Sequence, residues 1–211
     1  MQVSATVLRD SPLVLNLKQS KFLIISSLVL TLGMLCGALS VKLLSGGMLS
    51  FVNDCFKQFI TYRSTSKFYM IFLSSFCCSL AYIILITVSS FGISGYVVTP
   101  FLLFLRGFGT CAVSGLLYRN YSLQGIAFAN LILLPSCIVV HFIVVYIANE
   151  GLGLTAKFYD ILRYVSFKGV EIRPSCIKLL RALLICVIAL AAASAIEAIF
   201  SAGFIKYFKF N

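Results

Sequence analysis

The chain has 211 residues, of which 61% are hydrophobic and only 11% are charged, and its formal net charge is +11 at pH 7. So apolar a composition excludes a soluble globular domain and is typical of integral membrane proteins. The positive charge does not indicate nucleic-acid binding, because Lys and Arg lie mostly beside the ends of apolar segments, where they contact anionic headgroups of the lipid bilayer and set topology.

Five apolar segments have about the 17–25 residues that a helix needs to cross the hydrocarbon core of a bilayer. They cover residues 22–44, 68–91, 97–117, 124–148 and 179–200. The sequence therefore predicts one all-α membrane domain over residues 1–211, a polytopic transmembrane helix bundle of five or six spans.

A short polar arm, residues 1–21, precedes the first span. It carries Arg9, Lys18 and Lys21 against the single acid Asp10, and this bias favours a cytoplasmic amino terminus. The first span is too long for the apolar region of a signal peptide and starts after about twenty polar-containing residues, so we expect a retained anchor.

The connection at residues 45–67 has apolar residues at helical spacing. The apolar positions are Met48, Leu49, Val52, Cys55, Phe56 and Phe59. This pattern predicts an amphipathic helix that lies in the membrane plane. Such a helix either caps the bundle or presents a surface to a partner protein, and the sequence leaves both interpretations open.

The third and fourth spans are predicted to be the packed centre of the bundle, joined by a polar turn at residues 118–122. Arg106 lies inside the third span, where an Arg costs roughly 2.5–3.5 kcal/mol on insertion scales. It could bind an anionic group or a partner carboxylate, pair internally with Glu197, or extend to one membrane face from a tilted or re-entrant span. Gly107 and Gly109 beside it permit close helix approach.

Four further polar or helix-breaking residues stand out in these two spans. Pro100 and Pro135 mark either kinked structural helices or the broken helices of transporters. Asn130, together with Ser136, is placed to satisfy the backbone carbonyl that Pro135 frees. His141, the one histidine of the chain, is either a hydrogen-bonded packing residue or a proton relay.

The connection at residues 151–178 shows a second amphipathic pattern, with Leu152, Leu154 and Phe158 on its apolar face. We expect a second interfacial helix that ends before Pro174. With five crossings and the amino terminus inside, this basic connection is also inside, as the positive-inside rule prefers.

The last span contains the small-residue run 191–195, which favours close helix packing, followed by Glu197. Glu197 either reaches the interface or meets a basic partner inside the bundle. Because one His and one acid deep in a span cannot easily form a catalytic constellation, the sequence predicts no enzyme, no catalytic or metal-binding residues and no cofactor.

Three segments resemble the stage II sporulation protein M family of bacterial membrane proteins. They are the run PFLLFLRGFG at residues 100–109, LQG at residues 123–125 leading into LLPS at residues 133–136, and AIEA at residues 195–198 followed by Ser201. The sequence departs from the family pattern at Ser136-Cys137, where polar residues usually follow the Leu-Pro, and at Ala202, where a Pro often stands.

The resemblance implies a non-catalytic scaffold of endospore engulfment in the bacterial cell membrane, at the sporulation septum. It also implies partners, the peptidoglycan-degrading stage II sporulation proteins D and P, which the scaffold would anchor and localise. The alternative is a membrane transporter or permease subunit, which Arg106, His141, Pro100 and Pro135 would suit. The sequence leaves homo-oligomer formation open.

Overall fold

The computed structural model describes residues 12–43, 54, 57–58, 61–63, 65–164 and 172–204. Regular structure in this part of the chain is all-helical. In chain order the helices are α1 (Pro12–Leu43), α2 (Phe68–Ser89), α3 (Gly95–Phe128), a π-helical turn (Ala129–Leu133), α4 (Leu134–Tyr164) and α5 (Arg173–Phe204). The all-α architecture predicted from the composition is confirmed.

Four helical runs in the described residues are long and apolar enough to cross a membrane. They are Lys21–Leu43, Phe68–Ser89, Gly95–Arg163 and Arg173–Phe204. The 22 residues of α2 span about 33 Å at 1.5 Å per residue, which matches the hydrocarbon core of a bilayer. Helices are the expected answer to this composition, because backbone groups in lipid must be satisfied within the chain.

The 69-residue run from Gly95 to Arg163 is a hairpin, because the chain reverses at Ser122. Ser122 has φ 46° and ψ −125°, values close to the first central position of a type II′ turn. The Tyr118 hydroxyl donates to the side-chain oxygen of Asn130 over 3.4 Å, across the two sides of this turn. The arms of the hairpin, residues 95–121 and 123–164, therefore run antiparallel, as the polar turn predicts.

Helix α1 packs closely on the first arm of the hairpin. Gly33 and Gly37 form a small-xxx-small motif, and a methyl group added at either would overlap the backbone of α3, at Phe104 and at Phe108 respectively. Glycine is required here because only the absence of a side chain lets two backbones approach so closely. The residue numbers increase in the same direction along the two helices, from Gly33 to Gly37 and from Phe104 to Phe108. Helix α1 and the first arm are therefore parallel.

Two further contacts extend this parallel packing along α1. A methyl group at Gly107 would overlap the carbonyl oxygen of Leu30. At the other end of the helix pair, Arg119 Nη1 donates to the Val41 carbonyl at 2.7 Å, and a cation at the carboxyl end of α1 also interacts favourably with the helix dipole.

The π-helical turn lies directly before Pro135. Proline has no N–H, and its ring would clash with the carbonyl of Leu131, four residues earlier. The helix is wider at this point, because the Leu134 N–H donates to the Ala129 carbonyl, five residues back instead of four. Pro100, in contrast, lies within α3 close to its start, and the one non-helical residue in α3 is Ser122.

The main core of the described residues lies where α2, α3, α4 and α5 meet. Its fully buried side chains include Ile83, Leu103, Val144 and Leu190. Large apolar residues are also exposed on every helix, among them Leu32 on α1 and Phe142 on α4. This outer apolar surface is what a bilayer would solvate.

The fourth span and the predicted second interfacial helix are one continuous helix. Gly151 does not interrupt α4, which runs unbroken from Leu134 to Tyr164. Leu152 and Leu154 are buried, and Thr155 Oγ1 donates to the Ser90 carbonyl at 3.3 Å. The helix therefore continues past residue 148, the expected end of the fourth span, and this segment packs against the 90–94 turn. Whether its end lies at an interface stays a prediction.

Candidate functional site

A buried ion pair joins the α1–α2 connection (residues 45–67) to the last helix. Arg63 Nη2 donates to Glu197 Oε1, and each residue is only 8% exposed. Arg63 Nη1 also donates to the Ser201 hydroxyl at 3.3 Å, and the Ser75 hydroxyl donates to Glu197 Oε2 at 2.6 Å. Three segments of the chain therefore meet at one set of charge-assisted hydrogen bonds, which are stronger than neutral ones.

This ion-pair network lies near one end of the bundle rather than at its middle. Ser75 is seven residues after the start of α2 at Phe68, and Glu197 is seven residues before the end of α5 at Phe204. At 1.5 Å per residue, both side chains are attached about 10 Å from a helix end. Their burial explains the pairing, because an unpaired carboxylate would lose most of its solvation there.

Arg106 has a different environment, with neutral partners. Its Nη2 donates to the Ser79 hydroxyl at 3.3 Å, and its guanidinium carbon lies 5.3 Å from the centre of the Tyr82 ring, a cation–π geometry. Its Nε is buried and has no hydrogen-bond partner among the described residues. Glu197 pairs with Arg63 instead of Arg106, so the proposed Arg106–Glu197 pair is not formed.

The depth of Arg106 also bears on its predicted roles. Ser79, its hydroxyl partner, lies eleven residues after Phe68 and ten before Ser89, at the middle of α2. The guanidinium group therefore contacts α2 at the middle of that span, and not at a membrane face. A guanidinium charge at this depth has to be balanced or solvated.

His141 belongs to the same layer of the bundle as Arg106. Its Nε2 lies 3.3 Å from Thr110 Oγ1, and that hydroxyl donates to the Arg106 carbonyl at 2.8 Å. His141 is therefore within hydrogen-bond distance of a side chain, and its role as a packing residue or a proton relay stays a prediction.

His141 also lines a lateral groove between α1 and α4. The groove has a volume of about 310 Å³, and its lining includes Leu30, Ile138 and Phe142. This volume is at the lower end of the range for small-molecule pockets, about 300–1,000 Å³. The lining is mostly apolar.

The remaining candidate residues are structural in different ways. Gly107 is a contact point between helices, whereas a methyl group at Gly109 would have no described atom within 4 Å. Asn130 accepts the Tyr118 hydrogen bond, and Ser136 donates to the Leu133 carbonyl at 3.1 Å. These two side chains are therefore engaged away from the carbonyl that Pro135 frees, which belongs to Leu131.

Arg63 is the site residue that sequence analysis missed. It belongs to the connection at residues 45–67, for which the sequence singled out only the apolar positions. A signal was present, however: alternating spans put the residues before the second span and those near the end of the fifth at the same side of the membrane. A lone acid there needs a cation, and Arg63 is close in sequence to the start of α2.

No three His, Cys, Asp or Glu side chains come together as metal ligands within the described ranges. No known family model matches the sequence, no curated protein is significantly similar to it, and no solved structure matches its fold. The resemblance to the stage II sporulation protein M family therefore stays a prediction.

Proposed function

We propose that the chain crosses the bacterial cell membrane five times, with its amino terminus in the cytoplasm. Two observations support five crossings: the reversal at Ser122 divides one apolar run into two arms, and α1 is parallel to the first arm. The start of α1, the 90–94 turn and the start of α5 then lie at one end of the bundle. The α1–α2 connection, Ser122 and the end of α5 lie at the other.

Charge supports this orientation through the positive-inside rule. The basic residues at the amino-terminal end are Arg9, Lys18, Lys21, Lys157, Arg163, Lys168, Arg173, Lys178 and Arg181. Those at the Ser122 end are Lys42, Lys57, Arg63, Lys67, Arg119, Lys206 and Lys209. The excess at the amino-terminal end favours the cytoplasm for that end.

We infer that the protein is a non-catalytic membrane scaffold whose α1–α2 connection recruits an extracellular partner. The single observation that carries this proposal is the Arg63–Glu197 pair with Ser75 and Ser201. The buried pair and its two hydroxyl partners join the α1–α2 connection, α2 and α5. These contacts fix the end of the connection to the bundle. A fixed surface can recruit a partner without the entropic cost of ordering a free loop.

The resemblance to the sporulation family supplies the partner class and the setting. On that basis the scaffold anchors and localises peptidoglycan-degrading enzymes, stage II sporulation proteins D and P, at the septal membrane during endospore engulfment. The chemistry of wall cleavage then belongs to the partners, and this chain contributes position.

The topology is tested by labelling single cysteines in a cysteine-free background with a membrane-impermeant maleimide on intact cells. Asp54 and Leu162 are both exposed and lie at opposite ends of the bundle. We expect Asp54→Cys to be labelled from outside and Leu162→Cys only after permeabilisation. Labelling of Leu162→Cys alone would place the connection in the cytoplasm and remove the proposed recruiting surface.

The scaffold is tested by purifying the full chain from sporulating cells and measuring co-purified wall hydrolases. Lys57 and Gln58 are exposed on the connection, so Lys57→Glu/Gln58→Glu should reduce the hydrolase yield at least tenfold. Arg181→Glu, an exposed change at the opposite end, is the matched control and should leave it unchanged. An equal yield from both variants would contradict recruitment by the connection.

A transporter is the second candidate, because Arg106 is a mid-span cation without a carboxylate partner among the described residues. The π-helical turn before Pro135 adds a local irregularity of the kind found at functional sites. Anion flux into liposomes containing the purified chain, abolished by Arg106→Gln, would support transport and count against the scaffold.

A further inference from the structure

The charge of Arg106 is not balanced within the described part of the chain. Its partners are a hydroxyl and an aromatic ring, and its buried Nε has none. Two carboxylates are already paired with other cations: Glu197 pairs with Arg63, and Glu150 pairs with Lys178 at 3.0 Å. A permanently charged group in the middle of a span is costly when its charge is not balanced.

The outer surface next to Arg106 is open. Arg106 is only partly buried, and Gly109, three residues later on the same side of α3, is exposed with no described atom within 4 Å of an added methyl group. Neighbouring helices inside the bundle already fill the space beside Gly33, Gly37 and Gly107. Gly109 thus leaves room for a second backbone beside an unbalanced cation.

We propose that this face, Arg106 with Gly109, docks a transmembrane helix of a partner protein that carries an Asp or Glu at the middle of its span. The partner's carboxylate pairs with the Arg106 guanidinium, and Gly109 lets the partner's backbone approach. Opposite charges then meet where neither is solvated, so pairing relieves the cost of both.

Charge complementarity also decides against a second copy of this chain as the occupant. The other copy would have to offer a mid-span acid. Glu197 is the one acid within the predicted spans of this sequence, and it is buried in its pair with Arg63 near a helix end. The partner is therefore a different membrane protein.

The inference rests on the proposed scaffold function and deepens it, because it names the feature by which a membrane-anchored partner is recognised. It adds a contact within the bilayer to the proposed contact at the α1–α2 connection. The two contacts involve different residues and are separable by experiment.

The test uses the full chain in liposomes and a synthetic helix of about 21 Leu and Ala residues with one central Glu, with association measured by energy transfer. We expect association to weaken about tenfold, or about 1.4 kcal/mol, when the peptide's Glu is replaced by Gln. Arg106→Gln should have the same effect, and Arg106→Glu should instead bind a peptide with a central Lys. Equal binding of the Glu and Gln peptides would overturn the proposal.

Gly109→Leu keeps the test decisive if Arg106 variants fail to fold. This change should block the Glu peptide while Gly153→Leu, at another glycine with open space around it, should not. If Gly109→Leu binds normally, the docking face is wrong. If the peptide does not bind and chloride stabilises the wild type but not Arg106→Gln against heat, Arg106 holds a free anion instead. Because only purified components are used, these outcomes do not depend on whether wall hydrolases co-purify from cells.

Discussion

The Arg63–Glu197 pair should dominate the response of the bundle to mutation. Glu197→Gln keeps the shape of the side chain and an oxygen that can accept the hydrogen bond from Ser75 but removes the charge. Because Arg63 is 8% exposed and would remain buried without a counter-charge, we expect the free energy of unfolding to fall by about 3–5 kcal/mol. That loss corresponds to a factor of about 10²–10⁴ in the unfolding equilibrium.

The measurement is a denaturant titration in mixed micelles followed by circular dichroism, since the chain has no Trp to report by fluorescence. The double variant Arg63→Leu/Glu197→Leu removes both charges and should recover most of the loss, because replacing a buried pair by apolar side chains is often neutral. Lys178→Met is the control: Lys178 pairs with Glu150 but its side chain is 56% exposed, so about 0–1 kcal/mol is expected. If the double variant lost as much free energy of unfolding as Arg63→Leu and Glu197→Leu lose together, the reasoning would be refuted.

Two further predictions concern packing. Gly107→Ala should destabilise the protein by about 1–3 kcal/mol because the added methyl group overlaps the backbone of α1, whereas Gly109→Ala should stay within about 0.5 kcal/mol; equal effects in the same titration would place the helix contact elsewhere. A cysteine pair at Ser90 and Gly151 should form a disulfide under mild oxidation, because a Cβ at Gly151 lies 3.2 Å from the Ser90 Cβ and a small shift brings the two atoms to the separation of about 3.5–4.5 Å found in disulfides. A cysteine pair at Ser90 and Gly153 should not form a disulfide. Disulfide formation by both pairs would contradict the unbroken α4.

Apolar length predicted which parts of this chain form long helices, but not where the helices end. The start of the second span at Phe68 agrees with α2, while the last helix begins at Arg173 instead of residue 179. The reason is physical: hydropathy reports only the part of a helix that lipid can cover, and backbone hydrogen bonding continues into polar sequence. For the same reason the amphipathic pattern after residue 150 was assigned to a separate element, although α4 continues through it.

Helix pairing was less predictable because lipid-facing and core-facing positions are both apolar in a membrane helix. Hydrophobic periodicity, which identifies the buried face in soluble proteins, therefore carries little information here. Small residues carry more: the spacing of Gly33 and Gly37 was a usable signal for the contact with α3 that sequence analysis did not use. Gly107 and Gly109 looked alike in sequence, and only the structure separates the packed glycine from the exposed one.

Arg63 and Arg106 lie in different electrostatic environments. Arg63 has a carboxylate and a hydroxyl around it and lies near a helix end, so its charge is balanced inside the chain. Arg106 lies at mid-span with only neutral partners, although Glu197 belongs to the same bundle. An unpaired charge costs most at this depth. Because Glu197 is paired with the shallower cation, the docking helix that we propose would supply the carboxylate that Arg106 lacks among the described residues.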